Sequence, residues 1–134
     1  MTVATIPRPI AVPSKPRAQR ITGEELLAMG DIGPCELIEG RIVRRSFTQV
    51  RHGCIEAALG GYLGEFVADR KLGRVGGGGV GIYTRFDPDT IRAADIVFMS
   101  HERQAGRPRP GFLVTAPDMV VEIMSPNDRW QAVR

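Results

Sequence analysis

The chain has 134 residues, 43% of them hydrophobic, which is enough for one domain with a real core and excludes a chain disordered throughout. Its 18 basic and 15 acidic residues leave a net charge of +3, a balance that permits an anionic partner without demanding one. Two cysteines, Cys35 and Cys54, are too few for a disulfide framework, and no apolar run approaches the roughly 20 residues of a membrane helix, so a reduced, cytoplasmic protein is expected.

The first 20 residues, MTVATIPRPIAVPSKPRAQR, hold Pro7, Pro9, Pro13 and Pro16 among basic residues. Proline fixes φ and removes a backbone donor, so residues 1–20 are expected to be a disordered basic leader before a folded domain at 21–134. Thr22 and Glu25 form a Thr-Xaa-Xaa-Glu box ahead of Leu26, Leu27 and Met29, which predicts a short helix ending near Gly30. CELIEGRIVRR, at 35–45, then predicts a hairpin that turns at Glu39-Gly40. Its second strand carries Arg41, Arg44 and Arg45, a basic edge that either discourages aggregation or meets phosphate.

From His52 to Arg70 the period becomes helical, with Ile55, Leu59, Tyr62, Leu63, Phe66 and Val67 on one stripe. Gly60, Gly61 and Gly64 interrupt it, as expected of a helix whose backbone lies close against a sheet. Glu56 lies one turn from His52, as either a third active-site acid or a surface glutamate. The glycine run at 76–79 lacks the Lys-Ser/Thr of a phosphate-cradling loop, so no nucleotide loop is expected. A strand follows over Val80, Ile82, Tyr83 and Phe86, and DPDT at 87–90 turns the chain into the next one.

Two apolar runs, IRAADIVFM and APDMVVEIMSP, each hold one acid among residues that otherwise read as buried strand: Asp95 and Glu122. An ionised carboxylate in a dry interior is costly unless it is paired or binds a metal. By strand alternation Asp95 shares a face with Ala93 and Val97, and Glu122 shares one with Asp118, Val120 and Met124. Both strands read as central and covered by helices. If they are adjacent, the two carboxylates converge on one point, and oxygen ligands of that kind suit magnesium with waters and a substrate phosphate. The alternative is that each acid pairs with an arginine. Between the runs, SHERQAGRPRPG carries Arg103, Arg107 and Arg109, a mobile basic loop that would suit a polyphosphate backbone. Asn127 or Asp128 can cap a helix that starts at about Arg129.

CELIEGRIV at 35–43, RHG at 51–53, DPDTIRAADIVFMS at 87–100 and APDMVVEIMSPNDRW at 116–130 resemble the Uma-two family of restriction endonucleases, within the PD-(D/E)XK nuclease superfamily. The resemblance runs from about Thr22 to the C-terminus. It implies an α/β fold, a mixed sheet flanked by helices with a restriction endonuclease-like core, and hydrolysis of DNA phosphodiesters that depends on magnesium or manganese. Carried over position by position, Asp95 is the first acid and Glu122 the second, and Ile123 offers its backbone carbonyl to the metal. His52, Glu56 and Glu36 are candidate supporting residues. Arg44, Arg45, Arg103, Arg107 and Arg109 are candidate DNA contacts, and a homodimer is compatible with this reading.

The sequence departs from the family pattern at two places. Ala94 stands where the superfamily motif has proline, and Met124 stands where the simple motif has lysine. Family members place that lysine in the helix after the SP turn, and here residues up to Arg134 contain none, so a C-terminally truncated copy is expected. A nucleic-acid-binding remnant without catalysis and a non-functional fragment are the competing expectations. His52 and Cys54 lack the Pro-Cys-Xaa-Xaa-Cys of a zinc deaminase, and His101 has no evident nucleophile as partner.

Overall fold

The computed structural model describes residues 19–104 and 111–125. Nearly all of the expected leader, Arg107, Arg109 and the helix expected from Arg129 lie outside them. Its elements are α1 (Gly23–Ala28), β1 (Cys35–Ile38), β2 (Arg41–Arg44), α2 (Val50–Asp69), β3 (Gly73–Arg85), β4 (Thr90–Ser100) and β5 (Met119–Val121). Helix α1 starts at the expected capping box: the Thr22 hydroxyl accepts from the Glu25 amide at 3.2 Å, and the Glu25 carboxylate accepts from the Thr22 amide at 2.7 Å.

The hairpin turns where the sequence places it. Glu39 (φ 51°) and Gly40 (φ 74°) are both left-handed, the two-residue geometry that follows the natural twist of paired strands. The sheet order is β2-β1-β4-β3, so the arginine-bearing β2 is an edge strand. Every pair of named strands is antiparallel, and among the described residues one isolated parallel bridge joins Ile82 to Leu113. With α2 laid on this sheet, the architecture is the expected α/β fold.

Strand β4 is the central element and is buried on both faces: Ile91, Ala94, Ile96 and Val97 are each at most 3% exposed. Leu26 from α1 and Leu37 from β1 close over Ile91, while Ile82 packs with Ala94 and Val97. Each buried Ile, Leu or Val side chain contributes roughly 1.5–3 kcal/mol, so this strand is a firm platform for a charged site.

Three expectations need correction. Strand β3 begins at Gly73, so it runs through the glycines at 76–79 instead of starting after them at Val80. Its register shifts between Gly77 and Val80, where Gly78 and Gly79 both have φ near 82°. The run is thus a bulge inside a strand, with two successive residues in a conformation that a Cβ resists. In α2, the face turned to the sheet is the small one: Gly53, Ala57, Gly60 and Gly64 face Val75, Gly76, Gly77 and Ile96 across a cavity of about 490 Å³. Val67 is buried, but among the described residues Ile55, Leu59, Tyr62 and Phe66 remain 39–75% exposed. The glycine face turns to the sheet, as the interrupted stripe suggested, but without tight contact: a Cβ at Gly60 would meet Ile96 at 3.9 Å and one at Gly64 would meet nothing within 4 Å. Finally, β5 is short and, among the described residues, pairs only with β4, so Met119 and Val120 are 37% and 46% exposed instead of sandwiched.

Candidate active site

Strand β4 pairs with β3 along one edge, so β1 and β5 must share the other. β1 touches it at Leu37↔Ile91, and β5 at Ile96↔Val121, Val97↔Val120 and Phe98↔Met119. Between these contacts the two strands part, and the stretch from Arg92 to Asp95 borders a gap. Extending the β4–β5 register by one residue sets Glu122 opposite Asp95, on one face. The Ile123 amide donates to Asp95 Oδ2 at 2.7 Å, which fixes the Asp95 carboxylate at the mouth of the gap.

Helix α2 supplies the opposite wall. His52 and Glu56, one turn apart, both project towards Asp95. His52 Nε2 is 3.2 Å from Asp95 Oδ2 and His52 Nδ1 is 3.9 Å from Glu56 Oε2. The three side chains are 14–18% exposed. Each offers one ligand atom, and these atoms lie within 4.8 Å of one another. Glu56 Oε1 also accepts from the Gly78 amide at 2.7 Å, so the bulge in β3 holds the helix acid in place. Glu56 thus lies beside His52 and Asp95, with its side chain only 18% exposed.

Glu36, on β1, is the buried charged residue of the core, at 8% exposure. Its Oε1 accepts from Arg45 Nη1 at 3.1 Å, Arg92 Nε at 3.2 Å and the Ala93 amide at 2.9 Å. The last bond fills an unpaired edge position of β4 just before Asp95. Glu36 therefore supports the site from below, as a knot of backbone and two guanidinium groups, and its charge is matched as burial requires.

The arginines divide by location. Arg45 lines the same open cleft of about 1370 Å³ as Glu36, His52, Glu56, Asp95 and Glu122. Arg44 donates to the Ile32 carbonyl, a structural contact at the hairpin. Arg103 is bound to Asp118 Oδ1 at 3.0 Å and the Ala116 carbonyl at 3.1 Å, beyond the far end of β4, where it ties the entry of β5 to Ser100. Those bonds hold the Asp118 carboxyl below the usual range, with the Ser100 amide as the largest cause. His101 is exposed at the same end, away from the acids.

Glu122 behaves differently. Partial loss of hydration in the cleft, then the neighbouring Asp95 charge, raises its pKa above the ordinary glutamate value, and Arg45 and Arg92 offset only part of this. A raised folded-state pKa means that the native protein holds the proton more tightly than the unfolded chain. Its contribution to stability is complete below the ordinary glutamate pKa and is lost as pH rises through the folded one. In chelator, therefore, the melting temperature of the wild type should fall relative to that of Glu122→Gln as pH climbs through this window. Parallel profiles for the two proteins would contradict the strain.

Sequence reasoning missed two contacts, the Glu36 knot and the bond from Glu56 to the bulge. The first had a readable signal, an acid inside the apolar CELI strand. The second had none, because a bulge joins residues that no spacing relates.

The family model described as "Uma2: Putative restriction endonuclease" matches residues 24–133. The chain belongs to the Uma2 family. Among solved structures, this Uma2 chain is similar to one titled as a putative nuclease belonging to DUF820 from Anabaena variabilis ATCC 29413. The two are 24% identical, the match covers 84% of this chain and 63% of that one, and the TM-score is 0.66. At that identity the likeness establishes the fold, and this chain spans about 63% of that protein's length. No curated protein matches it.

Proposed function

We propose that this Uma2 protein is an endonuclease that hydrolyses DNA phosphodiesters with a divalent ion, magnesium or manganese, held by Asp95, Glu122 and the Ile123 carbonyl. The observation that carries the reading is the pair of carboxylates set across from each other where β1 and β5 part along β4. Two acids kept close despite mutual repulsion and partial dehydration fit a cation between them. The donor set is also right, since a carboxylate has about four lone-pair sites and the Ile123 bond to Asp95 leaves most of them available.

When bound, the ion would lower the pKa of a water and offset charge that develops on phosphate. The remaining work falls to the chain. Ile123 orients Asp95 through its amide, Glu36 anchors the β4 backbone at Ala93, and Arg45 presents a guanidinium to an anionic strand in the cleft. Phe47, 88% exposed on the loop that follows Arg45 along the cleft, offers a face on which a displaced base can stack.

A second reading, DNA binding without cleavage, draws on Met124, which lines the cleft where the simple motif has a lysine. Supercoiled plasmid distinguishes the two. Nicked circles that form with manganese or magnesium and vanish with chelator are the expected result. Metal-independent retardation of the plasmid with no nicking would favour the second reading.

A further inference from the structure

His52 is the residue of this site with an unexplained environment. Its Nδ1 is fully buried with no hydrogen-bond partner and faces Glu56 Oε2 at 3.9 Å, while its Nε2 faces Asp95 Oδ2 at 3.2 Å. Neutral imidazole has one N–H and one lone pair. If the N–H is on Nδ1, the lone pair of Nε2 points at a carboxylate oxygen, and two electron-rich atoms that close require a cation between them. Either a proton or a metal ion can serve. Cis ligands of one octahedral ion, at metal–ligand distances of about 2.1 Å, are about 3 Å apart, close to the separation seen here.

We propose that His52 Nε2 is a direct ligand of the ion bound by Asp95, and that Glu56 is not a ligand but orients His52 by accepting from Nδ1. This rests on the metal-dependent reading above and assigns the donor set of that site. Two observations favour the division of labour. Glu56 already spends Oε1 on the Gly78 amide, which leaves Oε2 towards the imidazole. A metal-bound histidine characteristically donates its other ring N–H to a carboxylate, which selects the tautomer. On α2 the i, i+4 spacing puts His52 and Glu56 on one face of one helix, and the bond requires the 3.9 Å between Nδ1 and Oε2 to close by about 1 Å.

A nitrogen donor changes the choice of ion. Imidazole suits transition metals, whereas magnesium favours an all-oxygen shell with several waters. The site should therefore prefer manganese or cobalt(II) to magnesium by more than carboxylates alone would give.

The test uses the full chain, with each ion titrated alone by calorimetry and bound manganese read by electron spin-echo spectroscopy. Wild type should show nitrogen modulation from one imidazole, and His52→Gln should lose it. In His52→Gln the affinity for manganese should fall on the order of 10–100-fold, with a smaller change for magnesium, and Glu56→Gln should reduce manganese affinity while keeping the nitrogen signal. If manganese binds in an Asp95-dependent way but without nitrogen modulation, or if His52→Gln leaves the manganese-to-magnesium ratio unchanged, this inference is overturned and the parent reading stands. If the wild type binds neither ion, both fall. Circular dichroism of each variant separates loss of a ligand from loss of the fold.

Discussion

Asp95→Asn should reduce metal-dependent cleavage of plasmid DNA by about 10³-fold or more while the fold survives. Asparagine keeps the size of the side chain and an oxygen that can accept from the Ile123 amide, so the bond that orients residue 95 is retained. What disappears is the charge. Removing one preorganised group that offsets transition-state charge typically costs 10²–10³-fold, and here the same change also removes a ligand, so a loss at or above that upper bound is expected, about 4 kcal/mol in the barrier. The same substitution relieves the repulsion that raises Glu122, so in chelator the variant should melt no lower than the wild type at neutral pH. Residual cleavage within tenfold of wild type, with intact structure, would mean that the chemistry lies elsewhere.

Glu36→Ala should be the most damaging change outside the pair of acids, and its effect should be on stability first. The carboxylate accepts from two guanidinium groups and from the Ala93 amide, and alanine removes the acceptor that the three share. Breaking a buried ion pair from one side costs about 3–5 kcal/mol when the stranded charge stays dry. Here the Arg45 and Arg92 side chains are 44% and 46% exposed and regain water, so a loss of about 2–3 kcal/mol is expected, a fall in Tm on the order of 10 °C. Glu36→Gln keeps an acceptor for the Ala93 amide and should lose roughly half as much. Differential scanning calorimetry checks both, and an unchanged Tm for Glu36→Ala would show that the knot is decorative. Because Ala93 lies two residues before Asp95, metal affinity should weaken in the same order, alanine more than glutamine.

Much of this arrangement was legible in the sequence, and the reasons differ between residues. Asp95 and Glu122 stood out because each is a lone acid in an apolar strand, and strand alternation with adjacency puts them together. The cap at Thr22, the turn at Glu39-Gly40 and the edge position of β2 followed from local chemistry alone. Helix α2 was legible as a helix, and its glycines pointed to the face that meets the sheet, while its apolar periodicity pointed to the opposite one. Periodicity finds the apolar stripe, whereas it is the glycine face that lines the cavity against the sheet. Glu56 could be placed one turn from His52 but not at the acids, since that depends on how α2 crosses β3 and β4. The arginines were the least legible. A guanidinium reads the same whether it meets DNA or, as Arg103 does, ties one strand to another.

The account depends most on one ion being shared by Asp95 and Glu122, and calorimetric titration of manganese into four proteins tests that directly: wild type, Asp95→Asn, Glu122→Gln and the double variant. Shared coordination predicts that either single change lowers affinity on the order of 100-fold and that the double change lowers it little further, because ligands of one ion are strongly coupled. Small losses that simply add would mean that the two carboxylates do not hold a common ion, and the nuclease reading built on them would be wrong.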